Sequence, residues 1–210
     1  MPILAFVGNK GGVGKTTLCV NLAAALNARA PTILLDADPQ ESALQWAELG
    51  RDRAFRVVGA VGAVGGLDEV IAAAARDYTY VLVDCPPSVH AAQTRQALGR
   101  ADVALVPVLP SPFDIWASVH AEAEIQSART GNPALRAFLV VNQLEPRTRL
   151  SNLMCRALAE LSLPVAATAI RRRVVYRDAV LAGGSVGAVG KKGAAAAEEI
   201  EALIHEVLSP

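Results

Sequence analysis

A glycine-rich loop near the start of the chain constrains the fold more than any other feature. Gly8 to Thr17 reads GNKGGVGKTT, directly after the apolar run Ile3 to Val7 and before a helix-like apolar pattern. A strand, a glycine-rich turn and a helix in this order form a cradle for phosphate groups, because glycines let backbone N–H groups turn inward and the helix presents its positive end. The loop therefore predicts an α/β domain that binds a phosphorylated ligand.

Short β-rich runs alternate with helix-length segments along the rest of the chain. We predict strands at 3–7, 32–35, 55–58, 80–83, 103–108, 137–141 and 165–170, and helices at 17–26, 42–49, 67–75, 115–128 and 150–161. This alternation predicts a single doubly wound, mostly parallel sheet with helices on both faces. Residues 59–66 and 183–193 are rich in glycine and lie between periodic segments, so we predict surface loops there.

Composition narrows the classes of protein. The 20 Lys and Arg residues balance the 20 Asp and Glu residues, so any attraction to nucleic acid must come from a local basic patch. Apolar stretches are strand-sized and no basic leader precedes the first strand, so we predict no membrane segment.

Cys19, Cys85 and Cys155 form neither a disulfide framework nor a CxxC pair, and we expect small core residues in a reducing cytosol. We expect one domain, 1–210, without an N-terminal helix-turn-helix domain.

Individual positions in the loop have distinct expected roles. Lys15 is placed to hold the β and γ phosphates of a nucleotide, and Thr16 supplies a hydroxyl at the spacing that puts it on Mg²⁺. Thr17 lies one residue deeper, within reach of the α phosphate. The strict Walker A pattern has glycine where this chain has Asn9, and a second lysine, Lys10, follows it. The loop is therefore a variant of the usual pattern.

Aspartates stand at the ends of two predicted strands. Asp36 and Asp38 follow the second strand in LLDADPQ, and Asp84 ends the fourth in VLVDCPP. Ligands bind at this edge of a parallel sheet, and phosphoryl transfer to water needs an oriented nucleophile and a metal. We expect Asp38 to position the attacking water and Asp84 to orient water on Mg²⁺. Alternatively, Asp36, Asp38 or Ser42 could cap a helix.

These motifs, in this order, resemble the ParA-type ATPases. The matching segments are KGGVGKTT, LLDADPQ, VLVDCPPS, VALVPVLPSPFD, VVNQ and IRRRVVYRDAVLAGGSV, and the short plasmid-partition ParF type is the most similar subgroup. The resemblance implies that Lys10 reaches across a dimer to the partner's nucleotide, that Asp38 serves hydrolysis and that Asp36 supports the site. It also implies that the PSPFD segment with Asp114 lies near the dimer contact, although Asp114 could equally cap a helix.

The resemblance implies ATP and Mg²⁺ as cofactors and assigns residues to each. Asn142 is expected to contact adenine, and the segment after the seventh strand is expected to cover the base, with Arg171 where proline is common. The expected catalytic residues are Lys10, Lys15 and Asp38, and the expected metal set is Thr16, Asp36 and Asp84. The expected nucleotide-binding set is Lys10, Gly11, Gly12, Val13, Gly14, Lys15, Thr16, Thr17, Asn142 and Arg171.

The resemblance also implies a function. An ATP-bound homodimer would bind nucleoid DNA without sequence preference in the cytoplasm, and a ParB-like, ParG-like or other adaptor would stimulate hydrolysis to move a cargo. That cargo could be a plasmid, a chromosome or a protein assembly such as a carboxysome. The densest positive cluster could supply the DNA contacts or could equally be a solvated surface. It comprises Arg171, Arg172, Arg173 and Arg177, with Arg147, Arg149, Lys191 and Lys192 as possible additions.

Other functions of related folds fit the sequence less well. A membrane-cycling ATPase of the MinD type needs a basic amphipathic tail, whereas the last predicted helix carries four glutamates and an apolar face that we expect to pack on the core. That face comprises Ile200, Leu203, Ile204, Val207 and Leu208. Iron–sulfur carriers need paired cysteines, and His90, His120 and His205 lack metal-ligand spacing. A metabolic P-loop enzyme of the dethiobiotin synthetase or cobyrinate amidase type remains the alternative.

Overall fold

One sheet of six parallel strands organises the protein. The computed structural model describes residues 1–50, 55–146, 148, 153 and 156–209. The strands are β1 Ile3–Phe6, β2 Thr32–Asp36, β3 Arg56–Gly59, β4 Tyr80–Asp84, β5 Val103–Val108 and β6 Arg136–Val141. Their order is β3-β2-β4-β1-β5-β6, and every pairing is parallel. The strands are added outward from β1 in both directions, with β4, β2 and β3 on one side and β5 and β6 on the other. The doubly wound fold predicted from the sequence is therefore confirmed.

Helices cover both faces of this sheet. The helices in the described residues are α1 Lys15–Asn27, α2 Ser42–Leu49, α3 Gly66–Asp77, α4 Ala92–Arg100, α5 Pro112–Ala128, α6 Val174–Leu181 and α7 Ala194–Leu208. Successive strand residues point to opposite faces. Leu34 therefore packs among α1, α6 and α7, whereas Leu35 packs among α3, α4 and α5. The helix predicted at 150–161 lies largely outside the described residues, of which 153 and 156–158 are helical.

The seventh predicted strand does not form, and that prediction was wrong. Only single bridges join its two ends to the β6 side of the sheet. Ala166 donates its N–H to the Leu139 carbonyl and Ile170 donates to the Val141 carbonyl, so the five residues 166–170 run beside only three residues of β6. The two residues after Ala166 donate their N–H groups to the Glu206 carboxylate instead. This carboxylate from α7 takes the donors that a regular strand would use.

The second glycine-rich stretch is more ordered than a loop. A 3-10 helix occupies Val186–Lys192, which corrects the loop predicted at 183–193. Val186 is buried, and its N–H donates to the Asn21 side chain on α1. Just before it, Gly183 has a φ of 63°, and a Cβ there would lie 2.1 Å from the Gly50 nitrogen. The first glycine-rich stretch, 59–66, connects β3 to α3 as predicted.

Two expectations about the core are confirmed. Cys19 and Cys85 are free and buried, whereas Cys155 lies outside the described residues. Helix α7 buries Ile200 and Val207 along the expected apolar face. In the described part of the chain, no helix combines the length and hydropathy that crossing a bilayer would require.

Candidate functional site

The loop after β1 and the predicted aspartates meet at one edge of the sheet. In register, Asp84 of β4 lies beside Phe6 on one side and Asp36 of β2 on the other. The loop leaves β1 at this edge and leads into α1. Gly12 and Gly14 have φ values of 77° and 94°, which glycine adopts without the strain that a side chain would add. The turn of the loop thus depends on glycine at these positions.

Lys15 points into the interior of the loop. Its side chain is buried, and Nζ donates to the Lys10 carbonyl at 3.1 Å. Burial lowers the pKa of Lys15 below its usual value, while the charges of Asp84 and Asp38 act in the opposite direction. The loop therefore encloses a cation whose charge is poorly solvated, a setting that favours an anionic ligand.

Asp84 is fully buried, and neither carboxylate oxygen has a hydrogen-bond partner in the described part of the chain. Burial raises its pKa to about 7, and the nearby Thr16 hydroxyl draws it partly back down without completing a hydrogen bond. Unpaired buried carboxylates are costly unless a cation compensates them. A carboxylate and a hydroxyl are the hard oxygen donors that Mg²⁺ prefers, directly or through water. The residues present therefore fit a magnesium ion.

We expect the stability of the metal-free protein to fall as pH rises from about 4 to about 7. The folded pKa of Asp84 lies above the unfolded value, so the native state binds the extra proton in this window. The free energy of unfolding should drop by roughly 1.4 kcal/mol per pH unit for each such proton. Urea unfolding in a chelating buffer measures this slope. Asp84→Asn should flatten it, and an unchanged slope in that variant would contradict the assignment.

Asp36 is committed to the protein backbone. One carboxylate oxygen accepts the N–H of Asp38 at 3.2 Å, and the other accepts the N–H groups of Ala43 and Leu44 at 2.8 and 3.0 Å. Burial raises the pKa of Asp36, and these three hydrogen bonds partly offset the rise. The structure favours the capping alternative for Asp36, since it holds the first turn of α2 against the end of β2. Ser42 is the first residue of α2 and not its cap position, which is Glu41.

Asp38 lies on the wall of a cavity of about 450 Å³. Its carboxylate accepts the N–H of Gln40 at 3.0 Å, a local turn contact that does not reach α2. Lys15, Thr16 and Pro87 line the same cavity. Asp38 is half-buried, so its carboxylate can meet both solvent and a ligand in the loop.

Lys10 lies on the α5 side of the loop. Its Nζ is 3.3 Å from the Asp114 carboxylate and 5.9 Å from the centre of the Phe113 ring, and 45% of its side chain is exposed. Ser111 caps α5 by accepting the Asp114 N–H, and its hydroxyl donates to the Asp114 carboxylate. Asp114 is therefore the buried anchor of Lys10, while Ser111 is the cap.

A second cavity, of about 400 Å³, extends the first. Both are lined by Gly14, Thr17, Gln143 and Val180, so they form one continuous cleft. Apolar side chains including Leu18 and Ile170 line the far end, which we call the apolar end, together with the arginines at 171–173 and 177, and Asn142 contributes an amide. A cleft with a cationic loop at one end and an apolar pocket at the other suits a nucleotide.

Comparison with known proteins agrees with this geometry. Residues 4–186 match the model of the CobQ/CobB/MinD/ParA nucleotide binding domain. The chain belongs to this family.

Three similar proteins within and around the family illustrate its range. The chain is 42% identical to the maintenance of carboxysome distribution protein A of Halothiobacillus neapolitanus, over 98% of this chain and 95% of that protein. It superposes on the ATP complex of an aspartate-to-alanine variant of Cyanothece McdA with a TM-score of 0.79 and 16% identity, covering 98% and 96% of the two chains. It also superposes on cobyrinic acid a,c-diamide synthase of Mycobacterium smegmatis, solved with an ATP analogue and magnesium. The TM-score is 0.76 and the sequence identity 25%, over 100% of this chain and 96% of that chain. The ParF subgroup stays a prediction.

The two residues expected to contact the adenine base, Asn142 and Arg171, interact with other groups of the protein. The Asn142 amide nitrogen donates to the Val13 carbonyl at 2.7 Å, and its oxygen accepts the N–H of Gln143. Arg171 lines the apolar end of the cleft, but its guanidinium faces Glu199 at 3.8 Å. Both residues thus border the cleft while interacting with other parts of the protein.

The arginines expected to contact DNA line the apolar end of the cleft and are largely compensated. Arg173 pairs with Glu199 at 2.7 Å, the same carboxylate that faces Arg171. Arg172 pairs with Glu145 at 2.6 Å. Within the described residues, Arg177 is exposed and has no ion-pair partner. Lys191 and Lys192 are exposed on the 3-10 helix, and Arg147 and Arg149 lie outside the described residues.

Sequence reasoning missed several residues of the cleft, and the aromatic side chain of Trp46 is one of them. Trp46 of α2 lines the cavity beside Asp38, stacks on Phe55 at 5.4 Å and donates its indole N–H to Gly184 at 3.2 Å. The signal was present, because an apolar aromatic residue stands one turn into the helix that follows the aspartates. Trp46 links α2, which Asp36 holds, to the turn after α6.

Proposed function

We propose that the chain is a ParA-type ATPase that closes into an ATP-sandwich dimer, binds DNA nonspecifically and hydrolyses ATP on stimulation by an adaptor to position a cargo. The observation that carries this proposal is the continuous cleft. It joins the loop around the buried Lys15 to a largely apolar end of about 400 Å³, and the buried, unpaired Asp84 lies next to Thr16 of the cleft wall.

The chemistry assigned to each residue follows from its surroundings. Lys15 and the loop N–H groups would bind the β and γ phosphates, since the buried ammonium gains a charged partner there. Thr16 and Asp84 would hold the Mg²⁺ ion, which neutralises phosphate charge when bound. Asp38 would orient the attacking water from the cavity wall. Asp36 would act indirectly, by fixing α2 and the Asp38 backbone.

Lys10 would supply the contact between protomers. Its side chain is 45% exposed although Asp114 is buried, so the Lys10 ammonium could turn outward to a phosphate of the partner's nucleotide, and that phosphate contact would have to offset the loss of its pairing with Asp114. Phe113 and Trp116 stand beside it on α5 with 68% and 66% exposure. This exposed aromatic pair supports a contact surface around Lys10.

DNA binding would rest on a weak patch in each protomer. Among the described members of the predicted cluster, Arg177, Lys191 and Lys192 are exposed without an ion-pair partner, whereas Glu145 and Glu199 pair with the three consecutive arginines. Such a patch gains strength when two copies act together, which would make binding depend on the ATP-bound dimer. The cargo we favour is a protein assembly of the carboxysome kind, because of the relative from Halothiobacillus neapolitanus. The proposed location is the nucleoid in the cytoplasm.

The proposal predicts ATP-dependent binding to duplex DNA that weakens steeply with salt. Binding should be measured with ATP, ADP and no nucleotide across a salt series, on DNA of unrelated sequences. Arg177→Ala should weaken binding equally for all sequences and lower the salt slope by about one for each phosphate that the arginine no longer neutralises. Arg100→Ala is the matched control, because Arg100 pairs with Asp68 on a different surface. No binding in any nucleotide state would contradict the partition-type function.

A metabolic enzyme is the second candidate, supported by the likeness to cobyrinic acid a,c-diamide synthase. Such an enzyme would use ATP to activate a small carboxylic acid. Saturable stimulation of ATP turnover by such an acid, together with absent DNA binding, would favour this candidate over the partition-type ATPase.

A further inference from the structure

Asn142, at the end of β6, holds the phosphate loop in place through a hydrogen bond to the loop backbone. It follows β6 directly, is 5% exposed, and its amide nitrogen donates to the Val13 carbonyl at 2.7 Å. Its amide oxygen accepts the N–H of Gln143 at 2.9 Å. Both polar ends of this side chain are therefore engaged by the protein backbone. A buried amide with both ends engaged is fixed in orientation.

The brace lies against the point where α1 begins. Gly14 precedes the helix with a φ of 94°, and a Cβ at that position would lie 2.3 Å from the Asn142 amide nitrogen. Glycine is therefore needed at position 14 for two reasons, its backbone conformation and the close approach of this amide. The contact joins residues 129 positions apart along the chain.

Gln143 makes a second, weaker contact of the same kind. Its side-chain amide lies 3.5 Å from the Gly12 carbonyl, and its own φ is 53°. Residues other than glycine rarely adopt this left-handed conformation, and they retain it where surrounding contacts require it. Consecutive residues after β6 thus hold the consecutive carbonyls of Gly12 and Val13.

Holding these carbonyls orients the N–H groups that face a phosphate. In a trans peptide, the carbonyl of one residue and the N–H of the next point in opposite directions. Fixing the Gly12 carbonyl therefore fixes the Val13 N–H, and fixing the Val13 carbonyl fixes the Gly14 N–H. Both carbonyls are held on the β6 side of the loop, so both N–H groups face the other way.

We propose that Asn142, assisted by Gln143, is a positioning residue that keeps the loop in its phosphate-binding form. This inference rests on the proposed function in one respect, that the loop binds the phosphates of ATP. It differs from reading the base, because a brace acts on the phosphates alone. Any ligand with a polyphosphate chain should then depend on Asn142, whatever base it carries.

The test compares ligands that share phosphates but differ in the base. Asn142→Ala should weaken Mg²⁺-dependent binding of ATP, GTP and inorganic tripolyphosphate by the same factor, about tenfold, because the loop must then be ordered on binding. Calorimetry measures all three. A loss confined to ATP, or unchanged affinity for tripolyphosphate, would overturn the proposal. Wild-type protein that binds neither ATP nor tripolyphosphate would instead overturn the proposed function.

Two further variants separate positioning from stability. Asn132 also donates its amide to two carbonyls, those of Leu98 and Ala101 at 3.0 and 2.8 Å, but it precedes β6 at the opposite edge of the sheet. Asn132→Ala should lower thermal stability and leave tripolyphosphate affinity unchanged. Gln143→Asn tolerates the left-handed conformation but shortens the reach to Gly12. It should weaken all three ligands by about twofold, since it removes one long hydrogen bond; an equal loss in Asn132→Ala would overturn the proposal.

Discussion

Replacing Lys15 with alanine should lower the affinity for Mg²⁺–ATP by about 100-fold or more, the largest effect on binding that we expect. The Lys15 ammonium is buried and donates to the Lys10 carbonyl. A polyphosphate would give this cation a far stronger partner in a site shielded from water. Titration with a fluorescent ATP analogue measures the loss directly.

The stability of the variant distinguishes a binding defect from a folding defect. Burial lowers the pKa of Lys15, so the charged form is disfavoured in the ligand-free protein. Removing it should leave the free energy of unfolding nearly unchanged. Lys191→Ala removes an exposed cation and should retain ATP affinity. Tight ATP binding by folded Lys15→Ala protein would contradict the role assigned to this lysine.

Replacing Asp38 with alanine should reduce ATP turnover by about 100-fold or more while leaving ATP affinity intact. The expectation follows from its place on the cavity wall beside Lys15 and Thr16. Since hydrolysis is expected to open the dimer, the variant should accumulate as an ATP-bound dimer. Phosphate release and the molar mass in solution provide the two measurements.

Two matched variants sharpen this test. Asp38→Asn can still accept the N–H of Gln40, so it keeps the local turn but loses the charge. ATP turnover by Asp38→Asn should be as low as that by Asp38→Ala. Normal turnover by Asp38→Asn would show that Asp38 only stabilises the local turn. Adding Lys10→Ala to Asp38→Ala should return the protein to a monomer, because the proposed contact of Lys10 with the partner's nucleotide is then lost.

The strands of the sheet and the helices α1, α2, α3, α5 and α7 were predicted from the sequence, whereas α4 and α6 have no counterpart among the predicted helices. All six strands of the sheet were predicted to within a residue, because strands of a parallel sheet appear as short apolar runs between turn residues, even at the half-exposed edge strand β3. Residues 165–170 carry the same apolar signal, yet Glu206 takes two of their N–H groups. That carboxylate is nearly forty positions away, beyond the reach of any local pattern.

In the candidate site, too, some features were predicted from the sequence and others became visible only in the structure. The loop, Asp38 and Asp84 were found from their spacing and from the order of strands and helices. The commitment of Asp36 to α2 was one of two alternatives that the sequence left open. The compensation of the arginines by Glu145 and Glu199 was not visible, since charge clusters in a sequence do not reveal their partners in the fold.

The sequence by itself determined the parallel α/β fold, the glycine-rich loop and the aspartates at the sheet edge. These depend on local periodicity, turn residues and strand ends, which neighbouring residues encode. Only the tertiary structure decided which side chains brace or compensate that site, including Asn142 on Val13 and Asp114 on Lys10. Each of those contacts joins residues more than one hundred positions apart. Packing of distant segments across the sheet creates them, and no local pattern carries that information.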